Sequence, residues 1–249
     1  MPISCDPRRN SSFQKNYLAR LTLLWRVATT TRLIARAVSI SAIRMISASE
    51  ALDRLRLGND RFVADIRSHA TVVRRSHRGD LADGQEPFAI ILGCSDSRVP
   101  AEIVFDQGLG DLFVIRVAGN IVAPSQIGSV EFAVSKFGTR LVVVLGHSRC
   151  GAVEATLEEL RRPSSKQSRN LYSIVDRVRP SVEPLLATPL RDDPEALIRD
   201  AVRANVRVSA SQLRHGSELL ESLANDGLLV VGAEYSLENG MVEFFDGVP

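Results

Sequence analysis

The chain of 249 residues has three cysteines, four histidines, one tryptophan and 5% aromatic residues. Cys5, Cys94 and Cys150 are too few for the disulfide framework of a small secreted domain. Long apolar runs are missing from the N-terminal segment. There Arg20, Arg26, Arg32, Arg36 and Arg44 cut the apolar stretches to seven residues or fewer, against the roughly 20 a helix needs to cross a bilayer. No membrane span is expected. Acidic residues are also scarce at this end: residues 1–49 carry eight Lys/Arg against Asp6 alone, whereas the remainder holds 23 basic and 28 acidic residues. The net charge of +2 therefore conceals a basic leader on an acidic body. Such a body is a poor electrostatic match for nucleic acid, and no nucleic-acid partner is expected.

Residues 1–44 are expected to be a poorly ordered extension. Their Arg- and Ser/Thr-rich, acid-poor composition is that of an organelle transit peptide. Arg8-Arg9 fits a twin-arginine export signal poorly, because no clean apolar region follows. Met45, just before a helix start, makes an upstream start codon an equal reading. The expectation is one catalytic domain over residues 45–249 in the cytoplasm, with an organelle matrix or export as the alternative if the leader is an address.

In the body, Ser49 is expected to cap a helix over Ala51–Val63, striped by Leu52, Leu55, Leu57, Phe62 and Val63. Four β-branched-rich runs follow: Phe88–Gly93, Leu112–Val117, Leu141–Gly146 and Leu228–Tyr235. They show little alternation, which suits strands covered on both faces. Helical patterns span Ser125–Phe137, Ala152–Arg161, Leu171–Leu186 and Pro194–Asn225. After the Glu238-Asn239-Gly240 turn, Met241–Phe245 reads as a returning strand. The fold class is α/β: a mainly parallel sheet flanked by helices, with an antiparallel edge strand.

Two strand ends carry the chemistry. Cys94-Ser95-Asp96-Ser97-Arg98 follows the first run, and Gly146-His147-Ser148-Arg149-Cys150-Gly151 follows the third. In open α/β sheets ligands bind beyond the carboxyl ends of the strands. Cys94, His147 and Cys150 make a Cys2His set that suits tetrahedral zinc, with the fourth place left to water or to Asp96. Arg98 can compete for that carboxylate through a bidentate pair. Taken singly, each residue has an ordinary explanation as a packed cysteine, a structural histidine or an ion pair. Their joint placement does not. A Cys94–Cys150 redox pair would leave His147 and Asp96–Arg98 unexplained. Gly108-Leu109-Gly110 precedes a strand and lacks the third glycine of a dinucleotide loop. His69, His77 and His215 have no ligand partners at useful spacing.

With these residues in view, the body resembles the β-class carbonic anhydrases. The resemblance runs from about Met45 to Phe245 and rests on CSDSRV (Cys94–Val99), FDQGLGDLFVIRVAGN (Phe105–Asn120), GSVEFAV (Gly128–Val134) and GHSRCGAV (Gly146–Val153). It implies one zinc ion per chain on Cys94, His147 and Cys150, with Asp96 and Arg98 as a catalytic dyad. Gln107 matches a glutamine that, in part of the family, bonds substrate from the neighbouring subunit. Gly151 matches a glycine whose backbone lies by the metal pocket. The implied function is reversible hydration of carbon dioxide to bicarbonate and a proton. Zinc lowers the pKa of bound water from 15.7 towards about 7, and the Asp96–Arg98 pair orients the resulting hydroxide and gates the fourth position. A homodimer or larger homo-oligomer is implied as well. Arg116 and Tyr235 match a non-catalytic bicarbonate site of one subfamily, but Ile91 stands where that site has a tryptophan. The alternatives are a carbon disulfide or carbonyl sulfide hydrolase on the same scaffold, and a zinc-stabilised binding protein closed by Asp96.

Overall fold

The computed structural model describes residues 46–66, 82, 84–163 and 168–249. The leader, His69 and His77 lie outside these. The first helix, α1, spans Ala48–Val63. Its cap is Ser47, two residues before the serine expected from sequence. Ser47 Oγ accepts from the Glu50 N–H while Glu50 accepts from the Ser47 N–H, a reciprocal box. Ser49 has no Glu or Gln three residues on, which Ser47 does. Leu52 and Leu55 are buried as expected, but Leu57 and Val63 are exposed. Ala48, Ala51, Gly58 and Asn59 complete the buried stripe instead.

Five strands form one sheet: β1 Ala89–Gly93, β2 Leu112–Arg116, β3 Leu141–His147, β4 Leu229–Tyr235 and β5 Val242–Asp246. Their order is β2-β1-β3-β4-β5. All pairings are parallel except β4 with β5. β1 and β3 are buried along their whole length, which is why neither run alternates in sequence. Odd and even positions divide between two cores. Ile91, Val143, Leu145 and Val231 pack with Leu52, Leu55 and Phe105. Ile90, Leu92, Val142, Val144 and Val230 pack with Val130, Val134, Val206 and Leu213.

Between the strands lie a short helix α2 (Ala101–Val104), then α3 (Pro124–Phe137), α4 (Gly151–Arg161), α5 (Arg169–Val182), α6 (Pro194–His215) and α7 (Glu218–Ala224). Two expected helices are shorter than their sequence patterns. The Leu171–Leu186 pattern becomes α5 followed by a 3-10 stretch, Glu183–Ala187, because Pro184 has no N–H to continue the ladder. Pro194–Asn225 breaks at Gly216, where Ser217 caps α7 through the Leu220 N–H. α6 lies close against the sheet. A Cβ added at Gly146 would stand 2.5 Å from Val206 Cγ2, and one at Gly232 would stand 2.8 Å from Val206 Cγ1. These glycines let α6 approach β3 and β4.

Replacing Ser47 by alanine should cost about 1 kcal/mol, while Ser49→Ala should be nearly neutral. Urea unfolding of both variants checks this, and equal losses would mean that the capping box contributes nothing special.

Candidate metal centre

β1 and β3 are neighbours, with Gly93 opposite Leu145. The chain leaves β1 towards β2 on one side and later returns as β3 on the other. This is a reversal of strand order, where a crevice opens at the carboxyl ends. Cys94 follows β1 directly and His147 ends β3. Cys150 is the N-cap residue of α4. All three side chains are buried, and Cys94 and Cys150 share an apolar cluster with Ile121, Val153, Leu197 and Ala201.

One ligand atom from each of Cys94, His147 and Cys150 lies within 4.8 Å of the others. The two sulfurs are 4.0 Å apart. His147 Nδ1 is 2.9 Å from the Ser148 carbonyl oxygen, which fixes it as the protonated nitrogen and leaves Nε2 as the lone-pair donor. Nε2 is fully buried and has no hydrogen-bond partner among the described residues. Burial pulls the His147 pKa down, but the Cys94 sulfur, the Ser148 carbonyl and Asp96 outweigh it and raise the value. A proton held between Cys150 and Cys94 draws the Cys94 thiol down to about 4, helped by His147 and the Gly119 N–H. Cys150 is pushed upward by Cys94 and by burial. Of the two, Cys94 is thus the sulfur that gives up its proton more readily. A soft dication would let both sulfurs be thiolates and would give Nε2 its missing partner. Bonds of about 2.3 Å to sulfur and 2.0–2.1 Å to nitrogen suit a cluster of this size. The residues fit a zinc ion.

Asp96 lies beside this cluster. Its Oδ2 is 3.9 Å from His147 Nε2. Arg98 holds both carboxylate oxygens, Nε to Oδ1 at 2.9 Å and Nη2 to Oδ2 at 2.7 Å, and its backbone N–H also reaches Oδ1. This keeps the Asp96 carboxyl well below the usual carboxylate range. A depressed folded-state pKa stabilises above the unfolded value, near 4, and the effect is lost only as pH falls through the folded value. Asp96 therefore stays ionised across the neutral range. The guanidinium is exposed, so the pair adds little to stability.

Side chains that the sequence motifs did not single out as supports hold these loops in place. Arg116, at the end of β2, donates Nε to the Cys94 carbonyl at 3.1 Å and Nη2 to the Asp96 carbonyl. It acts as a clamp on the Cys94–Asp96 loop. Ile91, at the tryptophan position of the bicarbonate site, is packed in the core. Arg149 takes a left-handed backbone, φ 53°, which is costly for a residue with a Cβ. The turn after β4 compensates: Glu238 pairs with Arg149 at 3.0 Å and accepts from Ser148 Oγ at 2.7 Å. Ser148 Oγ in turn accepts from the Leu237 N–H. Gly151 opens α4, and a Cβ there would meet nothing within 4 Å. Gln107 is buried elsewhere, donating to the Phe105 carbonyl at 2.7 Å and accepting from Arg54 at 3.1 Å. Of the sequence candidates, Cys94, Asp96, Arg98, His147 and Cys150 converge, Gly151 opens the helix after Cys150, and Gln107 makes its bonds outside the cluster. His215 faces Glu221.

The comparisons with known proteins agree with this geometry. A family model described as carbonic anhydrase matches residues 89–242. "Carbonic anhydrase 2" of Mycobacterium tuberculosis is 40% identical over 195 residues, covering 78% of this chain and 91% of the relative. A carbonic anhydrase of Mycolicibacterium smegmatis is also 40% identical, covering 76% and 89%. Among solved structures, the β-carbonic anhydrase CafA of Aspergillus fumigatus is similar with a TM-score of 0.61 at 29% identity, over 81% of this chain and 91% of that one. One of two tetrameric β-carbonic anhydrases of Sordaria macrospora gives a TM-score of 0.61 at 26% identity, over 70% and 88%. The chain belongs to the β-class of the carbonic anhydrase family.

Arg116→Met keeps the stem and removes both bonds to the loop. It should cost about 1.5–3 kcal/mol, the range for hydrogen bonds to charged groups, measured by urea unfolding. A loss within experimental error would mean the clamp is idle.

Proposed function

We propose that this chain catalyses the reversible hydration of carbon dioxide to bicarbonate and a proton, using one zinc ion per chain on Cys94, His147 and Cys150. The observation that carries the proposal is the buried, unpartnered Nε2 of His147 beside two cysteine sulfurs. The relatives named carbonic anhydrase support it. Bound there, zinc supplies a water acidic enough to lose its proton near neutral pH.

The chain's own residues do the rest. The apolar cluster around Cys94 and Cys150 excludes bulk water on the protein side, which strengthens electrostatic interactions within the site. Asp96 accepts the hydrogen bond of the attacking water or hydroxide and aims its lone pair at the carbon. Arg98 occupies both Asp96 oxygens and so keeps the carboxylate from becoming a fourth ligand. The open space beside Gly151 is room for substrate. The working unit is proposed to be a homodimer or larger homo-oligomer, in line with the tetrameric Sordaria relatives. In such an assembly Gln107 would serve the neighbouring subunit's site.

Metal content and carbon dioxide hydration, measured on one purified sample at pH 7 and pH 8.5, test the proposal. One zinc per chain with hydration is expected. Turnover of carbon disulfide without hydration would make the enzyme a hydrolase, and zinc without any turnover would make it a binding protein. Cys94→Ser and Cys150→Ser should each lose metal and activity together, because a hydroxyl is not a thiolate at neutral pH. Arg98→Ala should keep its zinc and lose activity on the order of 10²–10³-fold, as on removing a key electrostatic group. Arg98→Lys should recover little, since an ammonium cannot reproduce the bidentate pair. Near-wild-type rates in a zinc-replete Arg98→Ala enzyme would reduce the pair to a structural contact.

A further inference from the structure

The Cys94 sulfur accepts a backbone hydrogen bond from the Gly119 N–H at 3.3 Å, and the Asp96 N–H also faces it. Gly119 lies in the 3-10 turn Ala118–Asn120 that follows β2, with a left-handed backbone, φ 71°. A Cβ there would stand 3.1 Å from Ala152 Cβ and 3.4 Å from Val178 Cγ2. Gly119 is therefore wedged between α4 and α5 and tolerates little else. The next peptide is held as well: Asn205 Nδ2 donates to the Gly119 carbonyl at 2.8 Å. Asn205 is 1% exposed and its Oδ1 lies 3.5 Å from Ser181 Oγ. It sits in α6 next to Val206, the residue whose approach to the sheet requires Gly146 and Gly232.

We infer that Asn205 is a positioning residue for the metal centre: through Gly119 it aims a backbone N–H at the Cys94 sulfur. The inference rests on the zinc-site reading above. A buried amide in the middle of an apolar helix face costs free energy unless its bonds are made, so this asparagine is not explained by packing. Its effect on the sulfur follows from elementary chemistry. An N–H directed at a thiolate withdraws electron density, so the sulfur donates less charge to a bound cation and leaves it a stronger Lewis acid. The bond also fixes which sulfur lone pair faces the cluster. Outer-shell hydrogen bonds of this kind typically alter metal affinity or activity 10–100-fold.

The test uses the full chain loaded with cobalt(II) or cadmium in place of zinc. Asn205→Leu removes the donor and keeps the branching and number of side-chain heavy atoms. Its thiolate-to-cobalt charge-transfer band should move to lower energy, because the sulfur becomes more electron-rich. Zinc affinity, read by chelator competition, should change about tenfold or more. Thr139→Val is the control for destabilisation alone. It removes a buried bond from Thr139 Oγ1 to the Pro87 carbonyl near the amino end of β3, and should leave the band in place. If Asn205→Leu does not fold, wild-type protein loaded with cadmium-113 still tests the bond on which the inference stands. A scalar coupling between the metal and the Gly119 amide proton is expected across the N–H···S bond, and its absence would overturn the inference. An unshifted band with unchanged zinc affinity in folded Asn205→Leu would also overturn it, while leaving the zinc site intact. A wild-type chain that binds neither metal nor cobalt at Cys94 would overturn the zinc-site reading and this inference together.

Discussion

The arrangement at the strand ends depends on one electrostatic constraint. Two sulfurs and one imidazole nitrogen are buried within 4.8 Å of each other, and the nitrogen has no hydrogen-bond partner among the described residues. A buried polar atom without a hydrogen bond is costly, and two adjacent thiolates without a cation are costlier still. The sheet could have relieved this by slipping β1 against β3. The parallel register of Gly93 with Leu145 prevents that, because a slip of β1 by one residue would turn Ile91 out of one core and Ile90 and Leu92 out of the other. The apolar packing of two strands thus holds three soft donors together where they could bind a metal.

Supports come to these donors from four directions. Arg116 reaches from β2 to the carbonyls on either side of the Cys94–Asp96 loop. Glu238 reaches from the β4–β5 turn to Ser148 and Arg149 and offsets a left-handed residue between His147 and Cys150. Arg98 fixes Asp96 locally. Asn205 reaches from α6 through Gly119 to the Cys94 sulfur. Each support begins on a different element, so the ligand geometry is over-determined and can tolerate a strained backbone at Arg149.

The legible parts of this design were those written in local sequence. Unbroken β-branched runs announced strands covered on both faces, and CSDSR and GHSRCG stood directly after two of them. What stayed hidden depends on distant residues. No spacing rule connects Asn205 to Gly119, 86 positions away, or Glu238 to Ser148, 90 positions away. The family resemblance matched Arg116 to one subfamily's bicarbonate site, with Ile91 already departing from it, but no motif showed that this arginine holds two backbone carbonyls of the Cys94–Asp96 loop. Local errors were chemical rather than topological. Ser47, with Glu50 three residues on, outcompetes Ser49 as a cap, and Gly216 with Ser217 ends one helix and starts another. The short helix Ala101–Val104 has too few residues for any periodicity to show.

A metal ion bound by Cys94, His147 and Cys150 would complete the site. A crystal structure of the full chain, with anomalous data collected on both sides of the zinc absorption edge, is the decisive experiment. One zinc peak per chain is expected, bonded to both sulfurs and to His147 Nε2, with Asp96 still paired to Arg98. A Cys94–Cys150 disulfide, or an ordered cluster with no anomalous peak in protein grown with zinc, would contradict that assignment.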